Sequence, residues 1–222
     1  MAVRLFVTGT DTGVGKTEVA AALLAVLAER GERPFALKPY ESGGSGDSRV
    51  LQIAGGGWQP LESVCLYRLK APLAPGIAAR LEGLRPSWAR VERALEKLGM
   101  GSGVVEGAGG LFVPLDGQHD VVDLIASYRL PVVVVARAGL GTINHTVLTL
   151  SALWSIGAKV AAVVLVRASP VVDPSIRHNR RELERRFPGL AVIGPVPHLK
   201  DARRRRRALM RALTPLITGQ KT

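Results

Sequence analysis

Residues 7–19 read VTGTDTGVGKTEV, and the way their glycines are counted decides the fold. A phosphate-binding loop between a strand and a helix has a glycine, four residues, and then Gly-Lys-Ser/Thr. Counting back from Gly15-Lys16-Thr17 puts that first glycine at Thr10; the nearest glycine, Gly9, leaves five residues between. A turn that needs only backbone shape calls for glycines alone, not for a lysine and a threonine at the start of the next helix. A phosphate site calls for both. Backbone N–H groups and the helix N-terminus attract the anion, the ammonium reaches the β- and γ-phosphates, and the hydroxyl takes a place on Mg²⁺. Thr12, Gly13, Val14, Gly15, Lys16 and Thr17 are therefore read as a cradle for nucleotide phosphates, with the extra residue accommodated near Thr10-Asp11.

The surroundings of the loop have the matching order. RLFVTG (4–9) runs into KTEVAAALLAVLAERG (16–31), whose Ala and Leu content favours a helix that Gly31 can end. Further strand candidates are PFALKP (34–39), GVVEGAGG (103–110), LPVVVVARAG (130–139), AKVAAVVLVRA (158–168) and LAVIGPVP (190–197). Helical stretches at Pro86–Leu98, Thr142–Ile156 and Asp173–Phe187 separate the later ones. Strands that are apolar along their whole length are buried on both faces. With intervening helices this predicts an α/β fold, a mostly parallel sheet with helices on both faces, like a phosphate-loop NTPase. Residues 39–86 read as less regular, broken by SGGSGDS, GGG and APLAPG. No repeat or long linker divides the chain, so residues 1–222 are expected to form one domain.

Composition narrows the class. Hydrophobic residues make up 47% of the 222, which argues against disorder. The one cysteine, Cys65, cannot form an internal disulfide, and no Cys or His spacing suits a metal. No apolar run approaches the ~20 residues of a membrane span, and the N-terminus lacks a signal-peptide pattern; a cytoplasmic protein is expected. The net charge of +12 is concentrated late: residues 173–222 hold 13 Lys/Arg against 4 Asp/Glu, much of it in Arg203–Arg207. Without interleaved aromatics, that run reads as a solvated helix face beside Leu209, Leu213, Leu216 and Ile217 rather than a nucleic-acid footprint.

In open α/β sheets the ligand crevice lies beyond the C-terminal ends of the strands. Lys38 stands at the end of the second strand, Asp47 follows it, and Glu106 follows the third. Each alone has an ordinary explanation: a solvated lysine, a helix-capping aspartate, a glutamate in a turn. Together they could complete an Mg²⁺ shell with Thr17 and place a second cation, Lys38, beside a transferring phosphoryl group.

At these residues the chain resembles the dethiobiotin synthetases. The family's T-G-T-D-T-x-V-G-K-T is matched by Thr8–Thr17, including the longer spacing. Its K-P-x-x-S-G is matched by Lys38–Gly43, its V-E-G-A-G-G by Val105–Gly110, and its L-G-x-I-N-H by Leu140–His145. The resemblance implies an ATP-dependent cyclo-ligase of biotin synthesis, acting on 7,8-diaminopelargonic acid, CO₂ and ATP with Mg²⁺, as a homodimer. By the same resemblance, Lys16 and Lys38 are catalytic and Thr12 contacts phosphate. Thr17, Asp47 and Glu106 hold the metal, and Ser42 and Gly109 lie against the substrate. Gly141, Thr142, Ile143 and Asn144 of the partner chain take the diamine's carboxylate. The family often places an adenine-reading Asn after the fifth strand, where this chain has Val166-Arg167-Ala168. Two rivals are a partitioning or delivery ATPase whose basic tail binds nucleic acid, and an amide-forming synthetase of the cobyrinate type. Asp11 replaces the lysine expected of the first, and the length leaves no room for the second's glutaminase domain.

Overall fold

The computed structural model describes residues 2–219 apart from 98, 100, 168 and 172. The chain opens with β1 (Arg4–Gly9), α1 (Lys16–Glu29), β2 (Phe35–Leu37), β3 (Tyr40–Ser42), α2 (Gly46–Ala54) and α3 (Leu61–Val64). It continues through β4 (Tyr67–Leu69), α4 (Pro75–Leu81), α5 (Trp88–Lys97), β5 (Gly103–Glu106), α6 (Val121–Tyr128) and β6 (Val132–Arg137). Last come α7 (Thr142–Ser155), β7 (Val160–Val166), α8 (Ile176–Arg186), β8 (Val192–Val196) and α9 (Ala202–Thr218).

The main sheet runs β2-β5-β1-β6-β7-β8, and all its pairs are parallel. Its strands are the six apolar runs identified above. An unbroken apolar run still alternates once folded. In β6, Val133 and Val135 join the core under α1 and α9, while Val132, Val134 and Ala136 join the core under α5, α6, α7 and α8. Helices therefore cover both faces, as the composition of the strands predicts.

Two helices begin later than the sequence suggests. The segment from Pro86 starts at Trp88 because the Ser87 hydroxyl accepts the Arg90 N–H at 3.3 Å; its expected end, Leu98, lies outside the described residues. The segment from Asp173 starts at Ile176, since the Asp173 carboxylate accepts Ser175 N–H in a local turn.

Residues 39–86 are less regular, as expected, but they hold short elements the sequence did not show. β3 and β4 form their own parallel pair, with Tyr40 opposite Tyr67 and Ser42 opposite Leu69. Each has three residues, too few for any period to register.

The basic run is the solvated helix face expected of it, except at Arg205. In α9 Leu209, Leu213 and Ile217 are buried, and Arg205 lies one step of four earlier on the same stripe. Arg205 is accordingly half-buried, and its guanidinium meets Glu18 of α1 at 2.6 Å. Its neighbours in the run are exposed.

Candidate active site

The elements converge beyond the C-terminal edge of the sheet. There a cleft of ≈ 520 Å³ is lined by Thr12, Gly13, Gly15, Lys16, Thr17, Lys38, Ser42, Asp47, Glu106 and Gly109. Val14 is in the same loop, but it is buried in the core and does not line the cleft.

The loop's shape follows from two glycines. Gly15 caps α1 at φ 101°, a left-handed conformation that a side chain resists. It makes no side-chain cap, so the first N–H groups of α1 have no partner from a capping side chain and suit an anion. Gly109, in the loop after β5, has φ 64°, a left-handed conformation that favours glycine, and a Cβ there would lie 2.7 Å from Val113 Cγ2 of the same loop.

Two buried lysines face each other's partners. Lys38 follows β2 directly and is 4% exposed; its Nζ lies 2.5 Å from Glu106 Oε1 and 3.1 Å from Asp47 Oδ2. Burial pulls its pKa down, but Glu106 and Asp47 together outweigh burial and hold the ammonium charged above the usual lysine range. Lys16, 7% exposed, donates from Nζ to the main-chain oxygen of Asp11 at 2.9 Å. Burial pulls its pKa down to about 8; Glu106 opposes that shift and Lys38 adds to it. Lys16 thus has only a neutral acceptor where Lys38 has two carboxylates.

Glu106 ends β5 with 1% exposure, and its Oε1 also accepts the Thr17 hydroxyl at 2.9 Å. Its Oε2 is buried with no hydrogen-bond partner among the described residues. A buried carboxylate oxygen left unpaired is costly, and a cation beside it removes the cost. Thr17, Glu106 and Asp47 offer only oxygen, a hard donor set suited to Mg²⁺. Among the described residues no three His, Cys, Asp or Glu gather as a cage. Asp47, expected simply after a strand, stands in the first turn of α2.

Gly141, Ile143 and Asn144 do not join this group. They line a separate cavity of ≈ 430 Å³ with Leu140, Val147, Asn179 and Arg186, and Thr142 is buried behind them. Gly141 caps the 14-residue α7 without a side-chain cap bond, so this helix start is a second place suited to an anion.

Sequence reasoning passed over one residue of this cleft, and one outside it. Glu41 of β3 lines the main cleft, and nothing in its local pattern marks it. Arg205 was readable from its place on the apolar stripe of α9.

A family model described as an AAA domain matches residues 3–206. An ATP-dependent dethiobiotin synthetase from Anaeromyxobacter dehalogenans is 48% identical over 219 residues, covering 96% of this chain and 98% of that one. The chain belongs to the dethiobiotin synthetase family. A more distant synthetase of the family, from Methanococcus vannielii, is 38% identical over 200 residues, covering 89% of this chain and 94% of its own. Among solved structures, a cobyrinic acid a,c-diamide synthase from Mycobacterium smegmatis superposes with a TM-score of 0.53 at 19% identity. It covers all of this chain and 98% of that one, so the two share a fold. That solved chain has no long extra part, so length does not separate the cobyrinate type from a dethiobiotin synthetase; sequence identity does. Among the described residues no helix is long and apolar enough to cross a membrane.

Proposed function

We propose that the protein closes the cyclic urea of dethiobiotin from 7,8-diaminopelargonic acid, CO₂ and ATP. The observation that carries this is the meeting of Lys16, Thr17, Lys38 and Glu106 in one cleft, in a chain 48% identical to a named synthetase. One amine of the diamine adds to CO₂ and loses a proton, giving a carbamate. A carbamate oxygen attacks the γ-phosphorus, ADP leaves, and a mixed carbamic-phosphoric anhydride results. The second amine attacks the carbamoyl carbon, phosphate departs and the ring closes.

Phosphoryl transfer needs positioning and charge neutralisation more than covalent help from the protein. Lys16 and the N–H groups of Gly13–Thr17 hold the β/γ-phosphates, with the Thr12 side chain beside them; the Thr12 N–H itself donates to Asp11 Oδ1 at 2.7 Å. Lys38, kept charged by two carboxylates, faces the carbamate and the equatorial oxygens that gain charge. Ser42 and Gly109 bound the carbamate end. Thr17, Asp47 and Glu106 are the residues that would hold Mg²⁺, which when bound neutralises phosphate charge. Gly141, Ile143 and Asn144 line a cavity separate from the cleft, with Thr142 buried beside them, which supports their serving a neighbouring subunit of a homodimer by receiving the diamine's carboxylate at the start of α7. In this reading the whole chain works as one cytoplasmic unit.

The test is mass-spectrometric detection of dethiobiotin from diaminopelargonate, bicarbonate and ATP. ATP hydrolysis with DNA alone is measured in parallel. DNA-stimulated hydrolysis with no ring product would overturn the proposal in favour of a nucleic-acid-linked ATPase.

A further inference from the structure

Glu41 is a buried carboxylate to which the mechanism above gives no role. It is 5% exposed and lines the cleft, yet both its oxygens point to main chain. Oε1 accepts the N–H of Asp47 at 2.8 Å, and Oε2 accepts the N–H of Ser48 at 3.1 Å. These amides belong to the first turn of α2, where no intrahelical acceptor exists. Ser45, at the cap position, makes no side-chain cap bond. A glutamate from a neighbouring strand does what the local cap does not.

The base of this tether is fixed. β3 pairs with β4, placing Glu41 opposite Arg68, and the Lys38 N–H donates to Val64 O at 2.7 Å. The far end needs fixing. Ser42 and α2 are joined through Gly43 and Gly44, at φ 82° and 130°, and glycine is where main chain is least restrained. The Asp47 side chain is 49% exposed, with Lys38 as its charged partner. Packing around that side chain therefore does little to hold it.

We infer that Glu41 is a positioning residue: it clamps the first turn of α2 and so presents Asp47 to Lys38 and to the cation-binding oxygens. The inference rests on Asp47 serving as a metal ligand. Groups that orient a metal ligand typically change metal affinity or activity by roughly 10–100-fold when altered.

The probe is Mn²⁺ binding in the presence of ADP, read by electron paramagnetic resonance, with Tm measured alongside. Glu41→Gln keeps the size but sets an amide donor against an N–H donor. It is expected to raise the half-saturating Mn²⁺ concentration about 10-fold while Tm stays near the parent's. Glu41→Asp keeps charge with a shorter reach and is expected to fall between. Asp47→Asn alone should weaken Mn²⁺ binding, and adding Glu41→Gln to it should change binding by less than about two-fold, because both act through one group. If Asp47→Asn binds Mn²⁺ normally, the metal role of Asp47 fails and this inference fails with it. If Asp47→Asn is weakened but Glu41→Gln is normal, or weakens both backgrounds equally, only the inference fails. Failure of both Glu41 variants to fold would overturn it too, by assigning the residue to stability.

Discussion

Raising the pH should loosen nucleotide binding, and Lys16 sets where. Its ammonium is brought down to about 8 from an ordinary 10.5, chiefly by burial. Between those values the unfolded chain binds more protons than the folded one, so the nucleotide-free protein gains stability as pH rises through that window. A shift of that size corresponds to about 3 kcal/mol at ~1.36 kcal/mol per unit. Bound phosphate reverses the preference, because it selects charged Lys16 over the neutral amine. Binding above pH 8 must therefore take up a proton, and the apparent Kd rises by the factor 1 + 10^(pH−8). That factor is about 1.1 at pH 7 and about 11 at pH 9 by the same linkage. Calorimetric titration with ADP, in buffers of different ionisation heat, reads both quantities. We expect a Kd about ten-fold weaker at pH 9 than at pH 7, with uptake of about 0.9 proton per nucleotide at pH 9. Lys16→Arg, permanently charged, should flatten the pH dependence even if it binds less tightly. A Kd that stays constant to pH 9.5 with no proton uptake would refute the reasoning.

Lys38→Ala should lower turnover by roughly 10²-fold, as loss of an electrostatic partner of the transition state does, while ADP affinity measured by the same titration is kept; near-parental turnover would remove Lys38 from the chemistry. Within the basic run, changing Arg203, Arg204, Arg206 and Arg207 to Gln should leave dethiobiotin formation intact and reduce only salt-sensitive polyanion binding. Arg205→Gln, which breaks the half-exposed pair with Glu18, should cost about 0.5–1 kcal/mol in denaturant unfolding; equal stability of the two variants would contradict the difference in their packing. The base of the nucleotide should be read weakly. Val166 is apolar and buried against Gly15, Arg167 can donate but not accept, and Ala168 lies outside the described residues. We expect kcat/KM for ATP to exceed that for CTP or GTP by only about ten-fold, near 1.4 kcal/mol; a thousand-fold preference would mean another group reads adenine.

Much of this site could be read before folding because chemistry and strand ends coincide. Lys38 and Glu106 each close or follow an apolar run, and a parallel sheet carries all such ends to one edge. The run Val132–Val135 announced burial on both faces without any alternation to read. What escaped notice depended on contacts between distant segments. β3 and β4 are too short for a period, and their parallel pairing joins residues 27 apart, as in Tyr40 with Tyr67. Glu41 has no local signature, since its meaning lies in two amides reached across a glycine pair. Arg205 differs: its four-residue step to Leu209 was in plain view, but five arginines in a row read most simply as solvated charge.

The packing of α9 on α1 bears on how the protein is made. Leu23 and Leu213 belong to the same core cluster, although 190 positions separate them in the chain. During synthesis the apolar side of α1 therefore waits for a cover that is translated late. At about 5–20 residues per second, that wait is ~10–40 s. Over this interval the phosphate loop's own helix shows Leu23, Leu27 and their neighbours to solvent. Chaperones that hold nascent chains then have a defined target, the first thirty residues. A ribosome stalled before residue 209 should hold a chain whose α1 amides exchange freely with solvent.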